Sequence, residues 1–582
     1  MKKLLLIVIL LQACSIYSQS LNWYVPIGTE SEPQHITKVI INGQQIIICG
    51  IYSGLPDFDP GPDVQTPAVS GTNDLFIASY GFAGDFNWVT PIPYTNYANI
   101  NFLNADINGD IYITGSFEGA IYLDGITPLI DASSPGTSDI FIGKYDDTGN
   151  YIWGYAAGSV ANDGIGGFDT DPSGNFYLSG FYSNEMNFGL AGPPEILPAP
   201  GSNIPDLYFA KYNSDGELIW INSFGIDGSS DLGMAIKYDA VDNTLILTGV
   251  SHTGADFDPG AGVHSITSMT FDLFFARYNA DGEYIFAKPL IGTNGSNTIG
   301  EIGLNNKRDI ILYGNYAATL DFDPGAAVAN KISTGGNFDI FIATYKSAGG
   351  YKFANTLRGD DNPSPQGFDQ LRTGKYFLAG GYLKNVDFDL GATTYLLPYA
   401  YLQKPYFAEY TSTGGLLWVY PLTITTPTPT ATGSFSDVVM EGGTGQLICT
   451  GHFISTIDLE PLMDNTFYTS GPTYYDAFIA SYDVSELTAA FRFSSSVDEA
   501  NNLIIYPQPA SNEMIITGID DNFPLIDENI TIYNMDGKKL DVPFIISENS
   551  MLIDVNDLPD GMYIFSVKND LKIRTGKFII QH

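Results

Sequence analysis

A repeat of about 66 residues runs through most of this chain and limits its possible folds. A segment of the pattern Asp-x-Phe-Ile-Ala-x-Tyr returns seven times, with first positions at Asp74, Asp139, Asp206, Asp272, Asp339, Lys404 and Asp476. A second segment ends in glycine and keeps nearly the same spacing, at Gly50, Gly115, Gly180, Gly249, Gly314, Gly380 and Gly451. Two independent landmarks with one period indicate seven structural units, stacked either radially or in a line.

Each unit has the pattern of four short strands, which we call a, b, c and d. In one copy these are Gly233–Tyr238, Thr244–Val250, Asp272–Tyr278 and Glu283–Pro289. Tight turns join a to b and c to d, whereas a long connection joins b to c. Two hairpins make a four-stranded antiparallel sheet, and seven such sheets around one axis form a β-propeller, which exposes few strand edges. The predicted fold is all-β, a seven-bladed β-propeller over residues 21–493.

One copy of the unit also resembles a known repeat. The segment Asp139-Ile140-Phe141-Ile142-Gly143-Lys144-Tyr145, with Trp153 in the following strand, is similar to the bacterial β-propeller repeats labelled SBBP. The resemblance covers residues 21–493. It implies the architecture and says little about activity.

All five tryptophans occupy one position of the repeat, in strand d or its equivalent: Trp23, Trp88, Trp153, Trp220 and Trp418. Exposed indoles could stack on sugars, but a large residue that recurs once per sheet is expected to fill the seam between neighbouring sheets. Trp23 precedes the first complete unit. We therefore predict that Asn22–Pro26 supplies the outer strand of the last sheet, in competition with Leu487–Arg492.

The first 20 residues have the form of a signal peptide. A basic start and the apolar run Leu4–Leu11 lead to the small residues Ser18 and Ser20. A lipid anchor at Cys14 is an alternative. The rest of the sequence contains no run of about 18 apolar residues, so no transmembrane segment is predicted. Export is therefore expected.

The pattern changes after residue 493. Residues 494–503 are polar and predict a linker, and residues 504–582 alternate like the short strands of a small β-sandwich. Four blocks of this segment closely resemble, in order, the type A C-terminal sorting domain of the type IX secretion system. The residues that carry the resemblance are Tyr506, Pro507, Pro509, Asp536, Gly537, Gly561, Tyr563, Gly576 and Lys577.

This resemblance implies a partner and a destination. It implies contact with the type IX secretion machinery, passage across a Bacteroidetes-type outer membrane, and removal of the domain on export. The cargo is then attached to the cell surface or released. One departure is Gln508, where the family usually has Asn. The alternative is an ordinary Ig-like domain at the end of the chain.

Charge and motif content narrow the possible functions. The chain has 65 Asp and Glu against 25 Lys and Arg, and loss of two lysines with residues 1–20 gives 23 − 65 = −42. Such a chain repels phosphate backbones, so nucleic-acid binding is not expected. The sequence contains no H-E-x-x-H, no G-x-S-x-G and no P-loop, and its three cysteines cannot build a disulfide framework. No catalytic residue is predicted.

A short acidic motif recurs in the b–c connections. Asp-Phe-Asp-Pro-Gly, with Leu for Pro in the last copy, contains the pairs Asp57 and Asp59, Asp256 and Asp258, Asp321 and Asp323, and Asp387 and Asp389. Alternation places the Phe on one side, where it can dock, and both carboxylates on the other. Two adjacent carboxylates could hold calcium weakly. Alternatively, the first Asp caps the turn, and the sequence leaves both interpretations open.

The b–c and d–a connections lie on one rim of an antiparallel propeller, and they are the longer and more variable ones. We therefore predict an exported, non-catalytic binding or adhesion module whose ligand is a glycan or a surface protein. The alternative is a secreted glycan hydrolase with a pair of acids in the central funnel. Unrepeated acids in the funnel would favour the enzyme, whereas equivalent sheets would favour binding.

Overall fold

The structure is a computed structural model, and its regular elements are β-strands. It describes residues 20–28, 32–67, 69–130, 137–201, 204–225, 229–266, 272–293, 297–334, 338–359, 364–371, 373–383, 386–390, 395–397, 403–424, 432–442, 445–459, 467–470, 474–484, 504–506, 513–517, 530–534, 539–540, 542, 544–547, 550–555, 558–559, 561–568 and 573–580. The predicted signal peptide (except Ser20), the linker and the candidate strand Leu487–Arg492 lie outside these ranges.

Seven sheets with four repeat strands each follow one another along residues 20–483 of the described chain. In the order a, b, c, d, sheet 1 contains His35–Asn42, Gln45–Ser53, Asn73–Gly81 and Phe86–Ile92, and sheet 2 contains Tyr97–Ala105, Ile111–Glu118, Asp139–Tyr145 and Tyr151–Ala157. Sheet 3 contains Gly164–Thr170, Phe176–Tyr182, Asp206–Tyr212 and Leu218–Phe224, and sheet 4 contains Leu232–Asp239, Thr244–Ser251, Asp272–Asn279 and Tyr284–Leu290.

The last three sheets have the same order. Sheet 5 contains Thr298–Leu304, Ile310–Ala317, Phe338–Tyr345 and Tyr351–Gly359, and sheet 6 contains Ser364–Gln370, Tyr376–Tyr382, Lys404–Tyr410 and Leu416–Pro421. Sheet 7 contains Thr432–Met440, Gln446–Ile454, Asp476–Asp483 and, from the other end of the repeats, Ser20–Ile27. The pairing of Ser20–Ile27 with Asp476–Asp483 confirms the prediction made from the position of Trp23.

The inner strands pack side by side in a closed order. Strand a of each sheet contacts strand a of the next sheet, and strand a of sheet 7 contacts strand a of sheet 1. The seven sheets therefore form a ring around a central channel. Cys49 and Cys449, in strands b of sheets 1 and 7, are buried free thiols.

The repeated glycine at the end of strand b has a steric cause. Every strand a contains a β-bulge next to the residue that pairs with this glycine. The carbonyl oxygen of strand a lies so close that a Cβ on Gly115 would be 1.9 Å from the oxygen of Asn99. A side chain at this position would therefore displace strand a.

Four of the five tryptophans, Trp23, Trp88, Trp153 and Trp220, lie in the seams between sheets, as predicted. The Trp418 N–H instead donates to Glu409 Oε2 within its own sheet. The Trp23, Trp153 and Trp220 indole N–H groups donate to the carbonyls of Phe82, Ser214 and Ala280, each in the c–d turn of the next sheet, at 2.7, 3.2 and 3.1 Å. In the same turns, glycines with positive φ face the aromatic rings of the preceding sheet. Gly149, for example, has φ 80° and faces Trp88.

Replacing Gly149 with Ala should destabilise the protein more than replacing Gly125. Both glycines have positive φ, so each change costs about 1 kcal/mol in backbone strain. A Cβ on Gly149 would lie 2.5 Å from the Trp88 ring, whereas a Cβ on Gly125 meets nothing within 4 Å. The crowding adds about 1–3 kcal/mol to the cost of Gly149→Ala. Urea denaturation checks this, and equal losses of stability would contradict the seam contact.

Residues 504–580 contain two four-stranded antiparallel sheets among their described strands. One sheet has the order Ile504–Tyr506, Glu513–Thr517, Ser550–Asp554 and Phe544–Ser547, and the other Lys539–Leu540, Ile530–Asn534, Gly561–Lys568 and Ile573–Ile580. Ile553, Phe565 and Ile580 are buried. Of the sorting-motif residues, Tyr506, Gly561, Tyr563, Gly576 and Lys577 lie in strands, whereas Pro507, Pro509, Asp536 and Gly537 lie outside the described residues.

Candidate functional site

The b–c connections fold back on themselves, and we call these segments the loop hairpins. Four contain short paired strands: Ala120–Ile121 with Leu129–Ile130, Met186–Asn187 with Ile196–Leu197, Thr319–Asp321 with Asn330–Ile332, and Thr456–Asp458 with Phe467–Thr469. In sheets 1, 4 and 6, the amides of Phe58, Phe257 and Phe388 donate to carbonyls on the returning arm of the hairpin. Every sheet therefore presents one hairpin on the same rim of the ring.

The paired aspartates hold the turns of four loop hairpins. Asp57 Oδ1 accepts the amides of Asp59 and Gln65 at 3.1 and 2.8 Å, and Asp59 Oδ1 accepts the amide of Gly61 at 2.8 Å. The same bonds recur around Asp256 with Asp258 and around Asp321 with Asp323, and Asp387 caps its hairpin in the same way. The turn-capping interpretation of the motif is therefore observed.

The Phe of the motif anchors each hairpin, as alternation predicted. Phe58, Phe257, Phe322 and Phe388 have no exposed surface. Their carbonyls accept the hydroxyl groups of Tyr80, Tyr278, Tyr345 and Tyr410 at 2.8 to 3.1 Å. These tyrosines end the repeated Asp-x-Phe-Ile-Ala-x-Tyr segment, so the two repeated motifs contact each other in every one of these sheets.

Weak calcium binding by these pairs stays a prediction. The four pairs belong to four different sheets, and the described residues contain no group of three His, Cys, Asp or Glu that could hold a metal. Each site would therefore consist of two carboxylates, carbonyls and water. Calorimetry with millimolar calcium should show binding heat that the triple variant Asp59→Asn, Asp258→Asn, Asp323→Asn loses. No heat from the parent protein would contradict the prediction.

The loop hairpins also carry exposed apolar side chains. Among the described residues these are Leu55, Val64, Ile126, Ile130, Ile196, Val263, Val328, Ile332, Leu396, Phe467, Tyr474 and Tyr475. The exposed fraction reaches 82% for Ile126 and 76% for Val263. On the opposite rim, the described a–b and c–d turns expose Ile107 and Val241. The hairpin rim, which we call the loop face, therefore holds most of the apolar surface of the loops and turns.

The channel inside the ring is a second candidate site. Its volume is 240 Å³, and strand a of every sheet contributes to its wall. Its charged and amide side chains are Lys38, Asn104, Asp169, Lys237, Glu301, Asp369 and Asp437, and none of these residues recurs in all the sheets. Two lysines and four carboxylates thus line the channel, at positions of strand a where the residue type is not the same in every sheet.

One ion pair crosses the channel. Lys38 Nζ lies 3.1 Å from Glu301 Oε1, and these residues belong to sheets 1 and 5. Two sheets separate this pair on one side of the ring and three on the other, so the side chains meet across the axis. Both side chains are partly exposed, by 23% and 37%.

The channel aspartates link neighbouring sheets. Asp169, Asp369 and Asp437 accept the amides of Tyr238, Met440 and Val39, each in the next sheet of the ring, at 2.8, 2.7 and 3.0 Å. Burial raises the pKa of Asp437 to about 6, against the opposing attraction of Lys38. Burial alone would lower the pKa of Lys38, but Asp437 and Glu301 raise it above its usual value.

Two histidines face each other where sheet 7 meets sheet 1. The rings of His35 and His452 lie 4.6 Å apart, and Tyr475 packs edge-on against His452. Burial lowers the pKa of both imidazoles, and the neighbouring His35 helps to lower that of His452 to about 3. Both rings are therefore neutral in the folded protein near pH 7.

The His35–His452 contact predicts a loss of stability in acid. An unfolded imidazole titrates near 6.5, so the contribution of His452 is complete above pH 6.5 and is lost as the pH falls to about 3. The loss is on the order of 4 kcal/mol, and protonation of Asp437 below pH 6 offsets part of it. Urea denaturation from pH 7 to 4 should give a flatter profile for His452→Gln. Parallel profiles would contradict the prediction.

Comparison with known proteins identifies the domain at the C-terminal end of the chain. Residues 504–581 match the family of the secretion system C-terminal sorting domain. An uncharacterized WD repeat-containing protein of Acanthamoeba polyphaga mimivirus is 23% identical over 322 residues, which are 47% of this chain and 23% of that protein. This relative supports a repeat fold weakly.

The structure also has distant likenesses among solved structures. Raptor of Chaetomium thermophilum has a TM-score of 0.38 and 7% identity over 80% of this chain and 29% of Raptor. A polysaccharide lyase of family PL25, an ulvan lyase, has a TM-score of 0.39 and 12% identity over 81% of this chain and 99% of the lyase. Likenesses at this level do not assign an activity to this chain.

The C-terminal sorting domain indicates where the protein is located. Within the described residues, no helix has the length and apolar content needed to cross a membrane. The sorting domain at residues 504–581 marks cargo of type IX secretion. The protein is exported through the type IX system to the cell surface or the extracellular space.

Proposed function

We infer that residues 21–493 form a seven-bladed β-propeller, followed by an Ig-like sorting domain at residues 504–582, and that the propeller binds a partner without catalysis. The closed order of the inner strands and the shared outer strand of sheet 7 support the blade count. In this proposal residues 1–20 are the signal peptide, and the partner is a glycan or a protein that meets the loop face.

The observation that carries this function is the unequal distribution of apolar surface. A side chain such as Ile126 or Val263, largely in solvent, is costly to keep exposed, and grouped apolar surface commonly marks a binding site. The hairpin of Val263 is held in place because Phe257 is buried and Asp256 caps the turn. In the hairpin of Ile126, Leu123 is buried and Asp124 accepts the turn amides. A rigid surface loses little entropy when a partner binds.

The four acids of the channel, none of which recurs in every sheet, favour the alternative, a hydrolase. Asp437 has the raised pKa of a general acid, and Glu301 lies in the same channel. However, Asp169, Asp369 and Asp437 already accept backbone amides, and Glu301 pairs with Lys38. These contacts indicate that the acids join the sheets, and we therefore favour binding.

An array of glycans and outer-surface proteins tests both functions. The full chain should bind a partner, and the variant Val263→Ser, Val328→Ser should weaken this binding while the opposite-rim control Ile107→Ser, Val241→Ser leaves it unchanged. Equal effects of the two variants, or no partner at all, would contradict the loop-face function. A glycan that is cleaved by the parent protein but not by Glu301→Gln would establish the hydrolase instead.

A further inference from the structure

We propose that the partner of the loop face is a protein surface that presents lysine or arginine side chains beside apolar ones. The proposal rests on the proposed function, since it specifies the partner of the same face. Three features of the face carry it: its width, the chemistry of its apolar side chains, and the sign of its charge.

The width of the face suits a macromolecule. Val263, Val328 and Leu396 belong to the hairpins of sheets 4, 5 and 6, which are neighbours in the ring. Packed sheets lie about 10 Å apart, so exposed side chains on three neighbouring sheets extend over roughly 20 Å. One or two sugar units do not reach across this distance, whereas a protein surface does.

The exposed apolar side chains on the hairpins of sheets 1 to 6 are aliphatic, and the described aromatic ones, Phe467, Tyr474 and Tyr475, lie on the hairpin of sheet 7. Val64, Val263 and Val328 occupy the same position in three hairpins, seven residues after the first Asp of the motif. Sugars stack on flat aromatic rings, but Trp23, Trp153 and Trp220 lie in the seams with their N–H groups bonded to the next sheet. Aliphatic side chains instead suit the alkyl stems of lysine and arginine and the apolar residues beside them.

The hairpins that carry these valines are also negatively charged. Each of these valines shares its hairpin with two aspartates, whose Oδ1 atoms are fixed by backbone amides. Among the described residues of the hairpins, the basic side chains are Lys331 and the imidazoles of His252 and His264. A chain with a charge of −42 after loss of residues 1–20 repels polyanions and attracts cationic surfaces.

Two short synthetic peptides of equal length, one alternating Lys with Leu and the other Glu with Leu, test the proposal together with neutral dextran. The full chain carries either Asp59→Asn, Asp258→Asn, Asp323→Asn on the loop face or Asp85→Asn, Asp215→Asn, Asp281→Asn on the opposite rim. Both triple variants remove three negative charges. Asn retains an oxygen that accepts the turn amide, so the hairpins keep their shape.

The Lys–Leu peptide should bind the parent protein, and the loop-face charge variant should weaken binding about tenfold, against less than about twofold for the control. The variant Val64→Ser, Val263→Ser, Val328→Ser should weaken it similarly. Equal losses in the two charge variants would show attraction to net charge alone and overturn the proposal. Binding of dextran or the Glu–Leu peptide that depends on the valines would overturn the partner class and leave the binding function standing.

Discussion

A variant that ends at residue 503 should accumulate inside the cell envelope and be absent from the surface and the medium. The sorting domain at residues 504–581 is the part of the chain that the type IX system recognises. Without this domain, the repeats lack the signal that directs them across the outer membrane. Immunoblots of periplasm, surface-exposed protein and medium in the native host measure the effect, and most of the exported protein should move to the periplasmic fraction.

Two further variants separate sorting from folding of the repeats. Phe565→Asp places a charge at a fully buried position of the sorting domain and should block export in the same way. Gly125→Ala, in an open turn of the repeats, should leave export unchanged. Surface display of the truncated protein would show that residues 504–581 are dispensable for export.

Ile27→Asp should destabilise the ring of sheets severely. Ile27 has no exposed surface and lies in the strand Ser20–Ile27, which closes sheet 7 against Asp476–Asp483. Ile27 packs in an apolar cluster with Val25, Ile36 and Ala477, and an unpaired carboxylate buried in such a cluster costs about 4 kcal/mol or more. The melting temperature of a protein of this size should fall by roughly 10 °C.

Pro26→Asp is the matched control. It adds the same charge to the same strand at the neighbouring position, where the side chain is exposed. Circular dichroism should show little change in its melting temperature. A similar fall for both variants would mean that charge alone destabilises the strand, and no fall for Ile27→Asp would mean that another segment closes sheet 7.

Local pattern in the sequence determined the strands, the period and the closing strand. Alternation of apolar and polar residues defines each strand, and a tryptophan 65 residues before Trp88 was enough to locate the closing strand. For the aspartate motif, the sequence predicted one part of the structure and left another open. Burial of Phe58 followed from alternation, but the choice between a turn cap and a cation required the positions of the amides of Asp59 and Gln65.

The channel and the seam between sheets 7 and 1 were decided by tertiary structure. Lys38 and Glu301 are 263 residues apart and meet because their sheets face each other across the ring. The bulge in strand a adds a residue, so simple alternation does not show which side chains face the channel. His35 and His452 come together because the two ends of the repeats share one sheet. A repeated sequence specifies each sheet through neighbouring residues, whereas closure of the ring joins distant ones, and their chemistry depends on that closure.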